Sequence, residues 1–421
     1  MYSASTRAPN DLPMLDRSLP LDGVIVLDLT LALAGPLSTQ RLGEMGAQVV
    51  KIEAPEGGDF SRYVPIGELN SFGDSTAFVM MNRQKKSVSI NFKDPEGLKT
   101  FYRLVAKADV IVQNFRPGVA ERLGVDFDTL KHLNSELVYV SISGYGTEGP
   151  MKGRPGQDLL LQSFCGLTMN GGSKGGNPQP SPVFMVDVTA SHLATEAVLA
   201  GLLKAKKSGQ PQFAQVSMLG GMMEMQLQEI STYLAHETPP ERTEFDSSSI
   251  WMGPPYGIHR TADGFLAMAQ CDLEELAVYL ESAELLKLAK NPKPVSDIES
   301  HRLWRDAIYS ELERVFATRS AIEWDAYLSP KNVWCMVVQD YKTFLAHPQT
   351  QQYLCTMSHP VHGTYTTPKP AIQFNGLEEP QLTPAPLYAA DTREVLQDFG
   401  FSSQEVTNLE ENGAVYQHIY S

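Results

Sequence analysis

The sequence has few cysteines and little positive charge, and each shortage excludes a class of protein. The four cysteines lie far apart with no C-x-x-C pair, which argues against a disulfide scaffold or a thiolate metal site. The 34 basic side chains are outnumbered by 49 acidic ones, for a net charge of −15. Nucleic acids and anionic membranes need a basic surface. We therefore expect a cytoplasmic protein without a metal or nucleic-acid partner.

Long apolar segments are also missing. No uninterrupted apolar run approaches the roughly 18 residues of a membrane span. Residues 1–20 lack the apolar core of a secretory signal. We expect a soluble chain with no membrane partner, and 421 residues are enough for two packed regions.

Short apolar runs alternate with helical segments over the first 150 residues. This alternation predicts an α/β domain with a doubly wound, Rossmann-like parallel sheet, whose ligands bind beyond the carboxyl ends of the strands. The predicted strands cover residues 24–30, 48–53, 86–92, 109–115 and 137–146, and the predicted helices begin near Pro36, Pro95 and Asp126.

A long apolar-faced helix is predicted over residues 188–209, directly after a Gly/Ser/Pro-rich loop at 171–182 and Asp187. A carboxylate at a helix N-terminus is stabilised by roughly 0.3–1 kcal/mol. That position also suits a plain N-cap. From about 225 to 330 the pattern becomes loop-rich with amphipathic helices, which indicates a second, smaller domain.

Six blocks of the chain resemble the class III CoA-transferases, a superfamily that includes formyl-CoA transferase, carnitine CoA-transferase and the α-methylacyl-CoA racemases. They occur in the order and near the spacing of that family. The blocks are LDGVIVLDLT with AGP (21–36), QVVKIEAPEGGD (48–59), NRQKKSVSINFK (82–93), DVIVQNFRPGVAERLG (109–124), ISGYGTEGP (142–150) and the 187–219 segment that begins DVTASHLATEAVLAG.

The resemblance implies a domain organisation beyond what the pattern alone gives. Residues 1–224 and 331–421 would form a large CoA-binding α/β domain built from both chain ends. Residues 225–330 would form a smaller inserted α+β domain that closes over the acyl site. Two subunits would interlock as a homodimer.

The resemblance also implies a function and a set of site residues. CoA, as an acyl-CoA co-substrate, would be moved to a small carboxylic acid through an aspartyl-CoA thioester on Asp187, because a carboxylate can form anhydrides and thioesters. Basic side chains of the matching blocks, Lys51, Arg83, Lys85 and Lys86 among them, would form a face for the CoA phosphates. The implied CoA contacts are Ala32, Leu33, Ala34, Ile90, Asn91, Lys93, Asn114, Phe115, Arg116 and Arg122.

Two other functions stay open. Racemisation needs two acid/base groups on opposite sides of the α-carbon. The racemases have a His-Asp pair where this chain has Gln157 and Asp158, and an amide cannot shuttle a proton. A CoA-binding protein without turnover is the third possibility. Gln157, Asp158, Gly257 and His259 are candidate substrate contacts.

Overall fold

The structure, a computed structural model, describes residues 18–65, 75–236, 241–246, 248–361, 363–374, 377 and 381–420. Backbone contacts group the chain into two units. Unit 1 is drawn from Met1–Gly156, Asp187–Gly221 and Tyr353–Ser421, and unit 2 from Gln157–Val186 and Met222–Gln352.

This grouping differs from the predicted domains in three stretches. The prediction placed 157–186, 222–224 and 331–352 in the large domain, and their contacts group them with unit 2. The local sequence of these stretches does not reveal which core they pack against.

Strands are numbered in chain order over the described residues. They are β1 (Ile25–Asp28), β2 (Gln48–Glu53), β3 (Lys85–Ile90), β4 (Val110–Gln113), β5 (Val138–Ser143), β6 (Gln212–Ser217), β7 (Gly257–Arg260), β8 (Phe265–Met268), β9 (Cys335–Val337), β10 (Leu354–His359), β11 (Gly363–Pro368) and β12 (Val415–Tyr416).

Helices are numbered in the same way. They are α1 (Ala34–Glu44), α2 (Thr76–Met81), α3 (Pro95–Val105), α4 (Val119–Leu123), α5 (Phe127–Leu130), α6 (Asp158–Phe164), α7 (Met185–Ser208), α8 (Met218–Met225), α9 (Leu227–His236), α10 (Leu273–Tyr279), α11 (Ala283–Ala289), α12 (Ile298–Phe316), α13 (Ala321–Leu328), α14 (Tyr341–Ala346), α15 (Pro348–Gln351), α16 (Thr392–Asp398) and α17 (Ser403–Glu411).

Unit 1 is built on a seven-stranded sheet in the order β12-β3-β2-β1-β4-β5-β6. The strands from β3 to β6 are parallel, and β12 pairs antiparallel with β3 at one edge. The order reverses between β1 and β4, which is the topological switch point where such sheets bind ligands. The predicted α/β class with a large parallel sheet is confirmed.

The strand and helix boundaries of unit 1 follow local chemistry. The strands β1 to β5 are mostly buried, as the interior of a parallel sheet requires, and in all but β3 (KKSVSI) at least half of the residues are apolar. Asp94 caps α3 by accepting hydrogen bonds from the backbone N–H groups of Glu96 and Gly97, with Pro95 in the first helical position. Gly46 has a positive φ of 106° where the chain leaves α1.

The core of unit 1 joins the sheet to helices from both ends of the sequence. Leu27, Val88 and Ile111 of the sheet are fully buried with Phe101 of α3 and Leu396 of α16. The carboxyl-terminal helices are therefore part of the same hydrophobic core as the first strands.

The long helix α7 begins at Met185 and packs closely on the sheet. A Cβ atom on Gly201 would lie 2.5 Å from Val138 Cγ1 of β5, so the close contact requires a glycine at this position. By length and apolar composition α7 could also cross a membrane, a criterion that core helices of water-soluble proteins meet as well.

Unit 2 contains the antiparallel sheet β7-β8-β9 with helices α10 to α13. Leu266 and Met268 of β8 pack on Leu312 and Phe316 of α12. Glu281, whose φ is +52°, lies between α10 and α11 and separates the two helices.

Candidate functional site

The loops that follow β1 and β4 meet at the switch point of the unit 1 sheet. Asn114, directly after β4, joins them through both ends of its amide. Its Oδ1 accepts a hydrogen bond from Leu31 N at 2.8 Å, and its Nδ2 donates to Leu31 O at 2.8 Å. The predicted CoA contact Asn114 therefore fixes the loop after β1.

A buried ion network supports that loop from below. Asp28, at the end of β1, accepts a hydrogen bond from Lys85 Nζ at 2.9 Å and bonds with the backbone and hydroxyl of Thr30. Lys51 Nζ donates to Thr30 O at 2.7 Å and lies 3.0 Å from Asp59 Oδ2. These charged side chains are inaccessible to solvent.

Burial and the ion pairs of this network together shift the pKa values of its side chains. Burial raises the pKa of Asp28, but Lys85, Lys51 and the Thr30 hydrogen bond outweigh burial and hold that pKa well below its usual range. Burial lowers the pKa of Lys85 to about 8, against the opposing effect of Asp28. For Lys51, the carboxylates of Asp28, Asp59 and Glu53 outweigh burial and raise the pKa.

The network corrects part of the predicted phosphate-binding face. Lys51, Lys85 and Arg83 are buried, and Arg83 pairs with Glu44 at 2.6 Å. Their side chains hold the fold together and are not available to a ligand in unit 1.

Three predicted cations differ from that buried group. Lys93, Arg116 and Arg122 are exposed, and within the described part of the chain no carboxylate pairs with them. Lys93 follows the carboxyl end of β3, Arg116 follows that of β4, and Arg122 lies in α4, the helix after β4. Lys86 is less available to a ligand, because its Nζ pairs with Glu394 Oε1 at 2.8 Å.

The predicted CoA contacts near β1 and β3 separate into accessible and buried residues. Ala32, with a positive φ of 68°, and Leu33 are partly exposed in the loop before α1, whereas Ala34 is buried in the first turn of α1. Ile90 is buried in the core, so only its backbone could face a ligand.

Asn91 and Phe115 are partly buried and have structural contacts. Asn91 Oδ1 accepts a hydrogen bond from Lys93 N at 3.1 Å, and a Cβ on Gly97 would lie 2.2 Å from Asn91 O. Phe115 packs on the core of unit 1, and its backbone N–H donates to Gln113 Oε1 at 2.7 Å.

Asp187 lies in the first turn of α7 and is partly exposed. The helix begins at Met185, three residues before the predicted start at 188, so Asp187 is within the helix and is not its N-cap residue. In the first turn a carboxylate still interacts favourably with the helix dipole and the unpaired N–H groups.

Asp158 and Gln162 form a buried pair on α6 in unit 2. Asp158 Oδ2 accepts a hydrogen bond from the backbone N–H of Val186 at 2.8 Å. Asp158 Oδ1 accepts from Gln162 Nε2 at 2.6 Å, and Gln162 Oε1 accepts from Ser181 N at 2.8 Å. Gln162 is a residue that the sequence motifs did not indicate, although the i, i+4 spacing of an Asp and a Gln on one helix signals such a pair.

The other predicted substrate contacts have different surroundings in unit 2. Gln157 is exposed just before α6. Gly257 opens β7 and lines an open groove of about 740 Å³ with Tyr256, Trp334 and Met336.

His259 is part of the unit 2 core. It is 1 % exposed, and its Nε2 lies 2.8 Å from Pro255 O. Its ring is close to those of Tyr309 and Phe316, and burial lowers its pKa although the Pro255 carbonyl opposes this effect. We therefore correct the assignment of His259 from substrate contact to structural residue.

Metal ligands are not grouped in the part of the chain that the structure describes. No set of three or more His, Cys, Asp or Glu side chains there is arranged to hold a metal ion.

Comparisons with curated proteins identify relatives along almost the whole chain. The succinyl-CoA:glutarate CoA-transferase of Mus musculus is 29 % identical over 412 residues, which cover 96 % of this chain and 92 % of the relative. The probable fatty acyl-CoA transferase Rv3272 of Mycobacterium tuberculosis is 30 % identical over 347 residues, covering 80 % of this chain and 87 % of the relative.

Solved structures of the same group share the fold. The crystal structure of M. tuberculosis Rv3272 in its orthorhombic form matches with a TM-score of 0.75 at 27 % identity, over 90 % of this chain and 99 % of that one. A CaiB/BaiF family protein from Brucella suis matches with a TM-score of 0.75 at 25 % identity, over 91 % of this chain and 100 % of that one. The model of CoA-transferase family III matches residues 21–392, and the chain therefore belongs to this family.

Proposed function

We propose that the protein transfers CoA from an acyl-CoA donor to a small carboxylic acid through an aspartyl-CoA thioester on Asp187. The observation that carries the proposal is the place of Asp187: a partly exposed carboxylate in the first turn of α7, directly after the Gly/Pro-rich loop, in a chain of CoA-transferase family III. A carboxylate at that position is favoured as the anion, which is the nucleophilic form.

The proposed reaction is a covalent relay. An Asp187 oxygen attacks the donor thioester carbonyl, the C–S bond breaks, and a mixed anhydride and CoA thiolate form. The thiolate then attacks the Asp187 carbonyl, which releases the donor acid as its carboxylate and leaves aspartyl-CoA. The acceptor carboxylate repeats these two steps in reverse order. Backbone N–H groups are the usual donors to the oxyanions that form on the way.

The proposed CoA contacts belong to the segments that follow β1, β3 and β4 of unit 1. Lys93, Arg116 and Arg122 are exposed cations after β3 and β4 in an otherwise acidic protein. Arginine and lysine bind phosphate oxygens through charge-assisted hydrogen bonds. We therefore assign the CoA phosphates to these three side chains and the neighbouring pantetheine to the loop at Ala32 and Leu33.

We further propose a short dicarboxylic acid and its CoA thioester as the substrate pair. The relatives named succinyl-CoA:glutarate CoA-transferase support this choice. We place the reaction in the cytoplasm, because all four cysteines are free thiols, as in a reducing compartment.

We also propose that the active protein is an interlocked homodimer. The helix α9 has no buried residue within a single chain, and Leu227 and Leu234 are 62 % and 70 % exposed. An amphipathic helix gains most of its stability from packing its apolar face. A second subunit would supply that packing.

The test is to trap the covalent intermediate. The protein is incubated with succinyl-CoA and treated with borohydride or hydroxylamine, and the modified peptide is mapped by mass spectrometry. We expect modification at Asp187 and, with glutarate added, formation of glutaryl-CoA. Asp187→Asn should give no adduct and lower turnover by at least ~10³-fold, because an amide is not a nucleophile of this kind.

Asp128→Asn is the matched control, because Asp128 is an exposed acidic residue in the first turn of α5. This variant should keep the adduct and the activity of the unmodified protein. Absence of any adduct across a panel of short acyl-CoAs would reject the transferase. Exchange of the α-proton in D2O would then favour a racemase, and bare CoA binding would favour a protein without turnover.

A further inference from the structure

The segment that leads into the first turn of α7 is held at both ends by one pair of side chains. Asp158 and Gln162 lie one helical turn apart on α6 and are 4 % and 1 % exposed. Gln162 bonds with the backbone of Ser181, and Asp158 bonds with the backbone of Val186. The five peptide groups from Ser181 to Val186 are thus tied to α6 before the chain reaches Asp187.

The chemistry of the link depends on the amide of Gln162. Gln162 Nε2 donates a hydrogen bond to Asp158 Oδ1 at 2.6 Å. The N–H of Ser181 needs an acceptor, and Gln162 Oε1 supplies one at 2.8 Å. If the amide were turned over, its Nε2 would face the Ser181 N–H and its Oε1 would face the Asp158 carboxylate. Neither end would then pair a donor with an acceptor.

Water cannot easily replace the link, because Gln162 is buried. A side chain at position 162 that lacks a donor would remove the hydrogen bond to Asp158 Oδ1. One that lacks an acceptor would remove the hydrogen bond from the Ser181 N–H. The loop end and the helix start would then lose their common anchor.

We propose that Gln162 is a positioning residue, which acts through Asp158 to fix the direction in which α7 presents Asp187. This inference rests on the proposed nucleophilic role of Asp187. A displacement of a reacting group by about 1 Å can lower a rate by ~10²-fold, so the link should affect kcat more than substrate binding.

The first test is Gln162→Met, which keeps the approximate length and removes both hydrogen-bonding groups. We expect kcat for CoA transfer to fall ~10- to 100-fold, with the KM for acyl-CoA changed by less than ~3-fold. Single-turnover formation of the Asp187 adduct should slow by the same factor. Gln404→Met, on the exposed face of α17, is the control and should have unchanged kinetics.

The second test is Gln162→Glu, which distinguishes positioning from general packing. The introduced carboxyl group, when protonated, both donates to Asp158 and accepts from Ser181, whereas its ionised form places two carboxylates in contact. Such a pair titrates as a unit with one raised pKa. We expect the ratio of variant to unmodified kcat to be highest near pH 5.5 and to fall as the pH rises to 9.

The outcomes separate this inference from the proposed function. Failure of the unmodified protein to form an adduct would reject the proposed function. Adduct formation with unchanged kcat in Gln162→Met would reject the positioning role alone. If Gln162→Met does not fold, as judged by circular dichroism and thermal unfolding, Gln162→Glu decides, and a kcat ratio that is constant between pH 5.5 and 9 rejects the role.

Discussion

Buried charges at the residue scale set the shape of the loop after β1. Asp28, Lys85 and Lys51 lie in the core of unit 1, where removal of an ion from water is costly unless its partners are close and well aligned. Here each ion has a partner within 3.0 Å. The network therefore fixes one arrangement of the loop. It stabilises the fold only when every charged side chain of the network is present.

Replacement of Asp28 should test this dependence. Asp28→Asn removes the anion between Lys85 and Lys51 while keeping an acceptor for Thr30, and we expect the free energy of unfolding at pH 7 to fall by about 3–5 kcal/mol. Urea denaturation measures the change. Glu136→Gln, an exposed residue of the same unit, should lie within about 0.5 kcal/mol of the unmodified protein.

The same variant also tests how the free energy of unfolding depends on pH. Because the pKa of Asp28 is depressed in the folded protein, its contribution is present above its unfolded pKa of ~4 and is lost as the pH falls below that value. The unmodified protein should therefore lose stability more steeply between pH 4 and 2 than Asp28→Asn does. Parallel curves in that range would contradict the assigned pKa direction.

A motif predicted the position of Asp187 beside a helix start, and the structure has it in the first turn of α7, whereas its role as nucleophile stays a prediction. Lys51 and Lys85 were assigned to a ligand face because a βα pattern does not show which strand residues face inward when both faces of a sheet are covered. Gln162 was missed because Ser181, its partner besides Asp158, belongs to a loop further along the chain.

Close backbone contact at the scale of elements determines the loop after β5. Gly144 and Gly156 approach so closely that a Cβ on either would lie 2.4 Å from the Cα of the other. The loop 144–156 therefore returns to its own starting point, and Gly144 O also accepts a hydrogen bond from Leu219 N at 2.9 Å.

A single methyl group should disturb this closure. Gly144→Ala places a carbon against backbone that cannot move aside as a side chain could, and we expect a loss of about 2–3 kcal/mol in the free energy of unfolding. The urea midpoint measures it.

Gly153→Ala is the matched control within the same loop, because a Cβ there would meet no atom within 4 Å. This variant should be neutral or slightly stabilising. Equal effects of the two substitutions would show that the Gly144–Gly156 contact does not limit the loop.

Sequence patterns predicted the elements of the parallel sheet well and its edges poorly. Each of β1 to β5 lies within its predicted run or extends it by one residue, because buried parallel strands are short apolar segments between turn residues. The edge strand β12 was not predicted, since it is only two residues long and depends on its pairing with β3.

Exposed apolar surface at the scale of the whole molecule leads to a prediction about assembly. Leu227→Glu combined with Leu234→Glu places charges on the apolar face of α9. If this face is covered in a homodimer, we expect at least a ~100-fold increase in the dimer dissociation constant, because burial of an unpaired charge is costly. Analytical ultracentrifugation of the full-length protein measures it.

Val295→Glu is the control for that experiment. Val295 is 73 % exposed and lies outside the helices, so this variant should sediment like the unmodified protein. A double α9 variant that remains dimeric would remove α9 from the interface. A monomeric unmodified protein would contradict the proposed assembly as a whole.

The change in sequence texture near residue 225 lies close to one boundary between the two contact-based units, whereas the other boundaries have no such signal in the sequence. Residues 157–186 contain α6 and a Gly/Pro-rich loop, and nothing in their composition separates them from the preceding βα units. Their assignment to unit 2 comes from contacts with segments such as Arg242 and Gln226, which are distant in sequence.

The pairing of β12 with β3 has a consequence for how the chain folds as it leaves the ribosome. Gly413 and Asn91 are hydrogen-bonded neighbours separated by 322 residues, so the free edge of β3 remains open during most of synthesis. Exposed strand edges favour pairing with other chains, and contacts of long sequence separation form slowly. Translation speed and chaperone supply should therefore influence the yield of this protein more strongly than its final stability does.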